Sequence, residues 1–307
     1  MSTAFISHPD TLLHMMDGSH PESPARISAI KDRLIASHLY DHLQIHESPL
    51  ASDEQLQRVH HASYVQHIRS VAPPAGIVRL DADTAMGPMT LSAALHAAGA
   101  VVLGVDLVMA GKAQNAFCCV RPPGHHAGKA NAAGFCIFNN VAVGVAHAMA
   151  KYGIGRAAIV DFDVHHGNGT ENIFKDNPNV MLCSTFQHPH YPYSGAESRS
   201  ERMINVPLNA GSDGKVFRAA VEKEFAPALK AFAPQMMFVS AGFDAHRDDP
   251  LASLNLVRDD YIWVTNFVMQ VAKKHAQGRI VSTLEGGYEL HALADSAEAH
   301  IRTLAGL

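Results

Sequence analysis

AIVDFDVHHGNG, residues Ala158–Gly169, runs from strand-forming residues straight into metal-ligand chemistry. Ile159, Val160, Phe162 and Val164 favour an extended chain, while Asp161, Asp163, His165, His166 and Asn168 offer coordinating groups. Alternate side chains of a strand share one face, so Asp161, Asp163 and His165 are expected on the same side. Two carboxylates and an imidazole suit a Zn²⁺ or Fe²⁺ site that keeps a position open for water. A further protein ligand must then come from elsewhere in the chain.

The same pattern, an apolar run closed by polar groups, recurs three more times. RPPGHH follows Ala116–Val120, AGFDAHRDDP follows Met236–Ser240, and EGGY follows Ile280–Leu284. Further strands are read at Val180–Thr185 and Met203–Val206, beside the runs Met236–Ala241 and Arg279–Leu284, and AFIS opens the chain. Helical periodicity is read over Pro24–Ser37, Glu54–Ala72, Leu91–Ala110, Phe135–Tyr152, Lys215–Phe232, Arg258–Ala276 and Ala292–Leu304. Leu91–Ala110 is apolar nearly all round, which predicts burial. His14–Pro24 and Pro73–Pro88 read as loops, the second containing the turn LDADT. Alternating strands and helices predict an α/β protein, its mainly parallel sheet covered on both faces. Ligands bind such sheets at the carboxyl ends of the strands, so the four polar clusters are expected to form one site.

Composition narrows the class. At 307 residues, with 47% hydrophobic residues, the chain holds enough apolar material for a large core, and it reads as a single domain spanning 1–307. A formal charge of −5 without a Lys/Arg block argues against nucleic-acid binding. Cys118, Cys119, Cys136 and Cys183 form no CxxC pattern and sit in apolar segments, as expected of buried thiols in a reducing compartment. The N-terminus lacks a signal-peptide pattern and no run reaches about 18 uninterrupted apolar residues, so a cytoplasmic protein with no membrane partner is expected. Twenty-one histidines raise the weight of metal and acid–base readings.

Asp244, after the small residues of SAGF, is the best source of the missing ligand and would complete a set with Asp163 and His165. His246, Asp248 and Asp249 are its rivals. His125 and His126, held off a helical path by Pro-Pro-Gly, suit general base and general acid roles, with Asp161 and Asn168 orienting their rings. Tyr288, after two glycines, could donate to a developing oxyanion. GxSxG, HExxH and P-loop patterns are absent from the sequence, which disfavours serine hydrolase and nucleotide chemistry.

Taken together the motifs resemble the zinc-dependent histone deacetylase family, including bacterial deacetylase-like amidohydrolases and acetylpolyamine amidohydrolases. The matching segments are HPESPAR (His20–Arg26), RPPGHHA (Arg121–Ala127), GFCIFNN (Gly134–Asn140), DFDVHHGNGT (Asp161–Thr170), SAGFDAHRDDP (Ser240–Pro250) and EGGY (Glu285–Tyr288). The resemblance implies an arginase/deacetylase-like fold with an eight-stranded, mostly parallel sheet, and metal-assisted hydrolysis of an acetyl amide. It implies Zn²⁺, or Fe²⁺ in the cell, on Asp163, His165 and Asp244. It makes His126 the general base, His125 an electrostatic or acid partner, and Tyr288 the carbonyl-polarising phenol. Gly134, Phe135 and Tyr191 would line a narrow tunnel, with Asp83 (or Asp81) at its rim. A structural K⁺ would sit against Asp161, Asp163, His165, Ser184 and Thr185, and a second near Phe174, Asn177 and Val180.

Two positions refine the expectation. Asn168 stands where many members carry a second carboxylate, which points to the class II branch and a less basic His126. Leu251 stands where polyamine-specific relatives tend to place an acid, which favours acetyl-lysine in a peptide or protein over a small acetylated amine. A dinuclear Mn²⁺ ureohydrolase is the remoter enzyme reading, and a catalytically silent module that reads acetylated ligands is the non-enzymatic one. The sequence leaves self-association as a homo-oligomer open.

Overall fold

The computed structural model describes residues 2–16, 18 and 20–307. The expected loop His14–Pro24 includes Asp17 and Ser19, which lie outside the described residues. The sheet strands are β1 (Thr3–Ser7), β2 (Gln44–Glu47), β5 (Asn115–Cys118), β6 (Ala157–Asp161), β7 (Val180–Gln187), β8 (Met203–Leu208), β9 (Met236–Ala241) and β10 (Ile280–Leu284). Two short strands, β3 (Val78–Arg79) and β4 (Ala85–Met86), pair antiparallel apart from them.

The eight strands run in the order β2-β1-β5-β10-β9-β6-β7-β8, and every pairing is parallel. The expectation of a mostly parallel eight-stranded sheet is therefore met in its stricter form. β5, β10, β9 and β6, the four strands that precede the polar clusters, are consecutive neighbours at the centre. This adjacency is what gathers segments more than a hundred residues apart in sequence at one edge.

Period-2 alternation divides the core between the two faces. Ala157 and Ile159 of β6 pack with α4 (Thr90–Met109) and α5 (Asn140–Tyr152), while Ala158 and Val160 pack with α1 (Ala25–Ala36), α9 (Arg258–His275) and α10 (Leu290–Ala305). α4 is apolar enough to span a membrane, with mean hydropathy 1.8, yet 78% of that stretch is buried in the protein, packed on β1, β5 and β10. All four cysteines are buried and free.

Three expectations are corrected. Glu54–Ala72 is two helices, α2 (Asp53–Gln57) and α3 (Ala62–Val71), because the intervening His60 and His61 bond to the Gly128 and Lys129 carbonyls. The segment from Phe135 is not helical before Asn140, since Gly134 and Phe135 both hold positive φ, 54° and 70°. Lys215–Phe232 is helical in three pieces, α7 (Gly214–Ala220), a π-helical turn (Val221–Phe225) and α8 (Ala226–Phe232). A seven-residue helix, α6 (Asn168–Phe174), begins within the last two residues of the opening stretch.

Candidate active site

β6 ends at Asp161, so Asp163 and His165 sit in the bend beyond the strand and not on a strand face. They come together by a tight turn: Asp163 Oδ1 accepts the His165 backbone amide at 2.9 Å and lies 3.0 Å from His165 Nδ1. Asp244, from the turn after β9, brings Oδ2 to 3.2 Å from the same ring nitrogen, while its Oδ1 accepts the Val164 amide at 2.9 Å. The ligand atoms of Asp163, His165 and Asp244 all lie within 4.8 Å of one another, and all three residues are buried.

These residues fit a divalent cation. Asp244 Oδ2 is buried with no hydrogen-bond partner among the described residues. Two buried carboxylates face one imidazole; burial lowers the basicity of His165, but Asp163 and Asp244 outweigh it and push its pKa up to about 10. A Cβ on Gly286 would come 2.6 Å from Asp163 Oδ2, and one on Gly242 would come 2.5 Å from Asp163 Cβ, so only glycine lets the backbone wrap this cluster. Of the rival ligands, Asp249 instead accepts the Tyr288 and Leu251 amides at 2.7 and 3.0 Å, and His246 accepts the Asp248 amide.

The histidine pair follows β5. A carboxylate and an amide oxygen can only accept, so each ring's Nδ1 donates: His125 to Asp161 Oδ2 at 3.0 Å, and His126 to Asn168 Oδ1 at 2.7 Å. The ring centroids are 4.0 Å apart, yet the environments diverge. Burial opposes charge on His125, but Asp163 and Asp161 prevail and raise its pKa well above the ordinary value. Burial, joined by the charges of His125 and His165, holds His126 well below it. His126 is thus neutral, with its Nε2 lone pair free.

A cavity of about 250 Å³ opens beside these groups, lined at its base by His125, His126, His165, Gly286 and Tyr288. Its walls are Phe135, Tyr191, Gly134, Pro123, His190, Leu251 and Asp83. Tyr191 meets His126 edge-on with centroids 5.1 Å apart, and Phe135 meets Tyr288 edge-on at 6.0 Å. Asp83 takes the pocket position, whereas Asp81 caps the turn by accepting the Asp83 and Thr84 amides. Burial raises the pKa of the Tyr288 phenol well above its usual value, so it remains a donor at neutral pH.

Several contributors were not singled out from the sequence. Glu285 accepts the Gly124 and His125 amides at 2.7 and 3.1 Å and so fixes the histidine loop; burial pushes its pKa up to about 7. Arg26 donates to the Gly287 carbonyl at 2.6 Å and to Glu22, which also accepts from Arg121. Their signal lies in the EGGY and HPESPAR motifs, of which only the glycines and tyrosine of the first have an evident chemical use in the sequence alone. Pro123 lies in the Pro-Pro-Gly segment read as shaping the histidine loop, whereas His190 carries no signal of its own in the sequence.

A wholly parallel α/β sheet that ends centrally in a carboxylate–imidazole cluster, a histidine pair and a buried phenol defines an amide hydrolase of the deacetylase architecture. Residues 20–304 match the profile described as a histone deacetylase domain. The chain is 40% identical over 276 residues to the histone deacetylase-like amidohydrolase of Pseudomonas aeruginosa, covering 88% of this chain and 72% of that protein. It is 34% identical over 328 residues to the human polyamine deacetylase HDAC10, covering all of this chain and 48% of that one. The crystal structure of the HDA15 HD domain superposes with a TM-score of 0.92 at 32% identity, covering 99% of this chain and 88% of that one. The chain belongs to the histone deacetylase family and is a hydrolase of acetylated amides, in a family that is generally zinc-dependent.

Proposed function

We propose that this protein removes acetyl groups from lysine side chains of peptides or proteins, using Zn²⁺ or Fe²⁺ held by Asp163, His165 and Asp244. When bound there, the metal supplies a Lewis acid for the amide carbonyl and acidifies water. The neutral His126 accepts the proton of the attacking water at Nε2, its ring held by Asn168. His125, kept cationic beside Asp161, supplies positive charge and a proton near the leaving nitrogen. Tyr288 donates to the oxygen that gains charge. Phe135 and Tyr191 hold the alkyl stem between aromatic faces.

The observation that carries the lysine reading is the pocket wall. Leu251 is apolar, and Asp83 is turned toward the pocket wall, its Oδ1 accepting the Gly134 amide at 3.2 Å and the Thr84 hydroxyl at 3.0 Å. Burial and Asp81 also raise the pKa of Asp83 above the usual carboxylate value. Parallel kcat/KM values for acetyl-lysine peptide, trifluoroacetyl-lysine peptide, acetylputrescine and acetylspermidine test it: lysine peptides should lead, and faster acetylspermidine turnover would replace lysine with a polyamine. That second reading is favoured by the likeness to HDAC10, whose name specifies polyamines.

A structural K⁺ against Asp161, Asp163, His165, Ser184 and Thr185 is supported by Ser184, which pairs with Asp161 across β6 and β7 and whose buried Oγ has no partner among the described residues. The second K⁺ reading, at Phe174, Asn177 and Val180, has less support, because the Phe174 and Asn177 carbonyls already accept backbone amides.

A further inference from the structure

A cavity of about 1140 Å³ opens at the end of the sheet opposite the catalytic cluster. Arg156, Asn179 and Arg202 line it, and they immediately precede β6, β7 and β8 respectively. The hydrolytic chemistry, gathered at the carboxyl ends of the strands, uses none of them. Buried Met181, Ile204 and Phe232 give the cavity an apolar floor.

Three arginines, Arg156, Arg199 and Arg202, stand around this floor in a chain whose formal charge is −5. Arg199 is paired with Glu224. The other two have no carboxylate partner among the described residues, and backbone carbonyls hold them instead. Arg156 Nε donates to the Ala233 carbonyl at 3.0 Å. Gln235 Oε1 fixes the main chain beneath it by accepting the Gly155 and Arg156 amides at 2.6 and 3.1 Å. Arg202 donates through Nε to the Pro178 carbonyl at 3.1 Å and through Nη1 to the Glu201 carbonyl at 3.2 Å. Its Cζ lies 5.1 Å from the centroid of the Phe232 ring. The two guanidinium groups thus converge on consecutive residues, Phe232 and Ala233, at the end of α8.

These bonds fix each guanidinium without neutralising it. Both terminal nitrogens of Arg156 and Nη2 of Arg202 keep N–H groups that have no partner among the described residues. Like charges held beside one cavity repel, and an anion between them turns that repulsion into attraction. A preorganised guanidinium fork suits phosphate above other anions, because its paired N–H groups match two phosphate oxygens. Glu201, the one carboxylate among the lining residues, makes no ion pair with either arginine. We propose that this cavity binds a phosphorylated small molecule, with phosphate on Arg156 and Arg202 and an apolar or aromatic body on Met181 and Ile204.

Calorimetric titration of the zinc-loaded protein with AMP and with inorganic phosphate, which carry similar charge, tests this. Wild type should bind both, AMP more tightly because only it reaches the apolar floor. Arg156→Gln and Arg202→Gln should each weaken AMP binding about tenfold or more. Lys112→Gln, which removes the same charge from an exposed position elsewhere, should leave Kd unchanged. Circular dichroism matching that of wild type shows that each variant is folded. The proposal falls if neither ligand binds at millimolar concentration or if AMP binds no more tightly than phosphate. It falls equally if Lys112→Gln weakens binding as much as the arginine variants do, or if both arginine variants bind AMP like wild type, as capture by the catalytic metal would produce.

Discussion

At the scale of single residues, Asn168 orients His126 while burial and its neighbours set the basicity. A neutral amide fixes the ring without charging it, and burial with two neighbouring imidazoles keeps the folded pKa below 6.5. A base must be unprotonated to act, so kcat/KM should fall only as pH drops through that lowered value. Asn168→Asp places a carboxylate on the same nitrogen and should move this acidic limb up by about one to two pH units. An unmoved limb would remove His126 from the base role. Tyr288→Phe deletes a donor whose bond strengthens as charge develops, so kcat should fall about 10²–10³-fold with KM nearly unchanged. A loss confined to KM would contradict the assignment. Gly134 shows how close packing serves the same ring: a Cβ there would come 2.8 Å from His126 Cγ. Gly134→Ala should displace the imidazole and lower kcat/KM by about 10²-fold, while zinc content stays at the wild-type level.

At the scale of elements, the helix α4 places sterics against propensity. Gly99→Ala gains up to about 1 kcal/mol of helix propensity. Its Cβ, however, would come 2.9 Å from the Pro49 carbonyl carbon, which is backbone and cannot swing aside. Overpacking of this kind costs about 1–3 kcal/mol or more, so the steric effect should win and Tm should drop by about 3 °C. A rise in Tm would show that the Pro49 loop yields. The same contrast explains what could be read from the chain. β6, β9 and β10 are buried throughout and announce themselves as apolar runs. β2, QIHE, is an edge strand with three exposed residues in four, so it carries no pattern to read. The site was legible because its ligands follow those runs directly. The second half of each motif was not: that Glu285 would hold the Gly124 and His125 amides depends on β10 lying beside β5, which only the folded sheet reveals.

At the scale of the molecule, buried histidines join layers that the sheet alone does not connect. His300 of α10 bridges Thr265 of α9 at 2.6 Å and Ser282 of β10 at 2.9 Å. Burial pushes its pKa down to about 3, against an unfolded value near 6.5. The folded state therefore refuses a proton that the unfolded chain accepts below pH 6.5. Stability from this group is full above that value and is lost progressively as pH falls toward 3, at about 1.4 kcal/mol per unit. His300→Gln removes the titration, at some cost in hydrogen bonding that does not vary with pH. Urea unfolding of wild type and variant at pH 6 and pH 4 should show their difference in stability shifting by about 2 kcal/mol against the wild type at the lower pH. Parallel changes in the two proteins would mean that His300 accepts its proton without disrupting the junction of α9, α10 and β10. His60 is then the next group of this kind to test, its pKa held by burial at about 4 and its ring tying the start of α5 to the loop after the histidine pair.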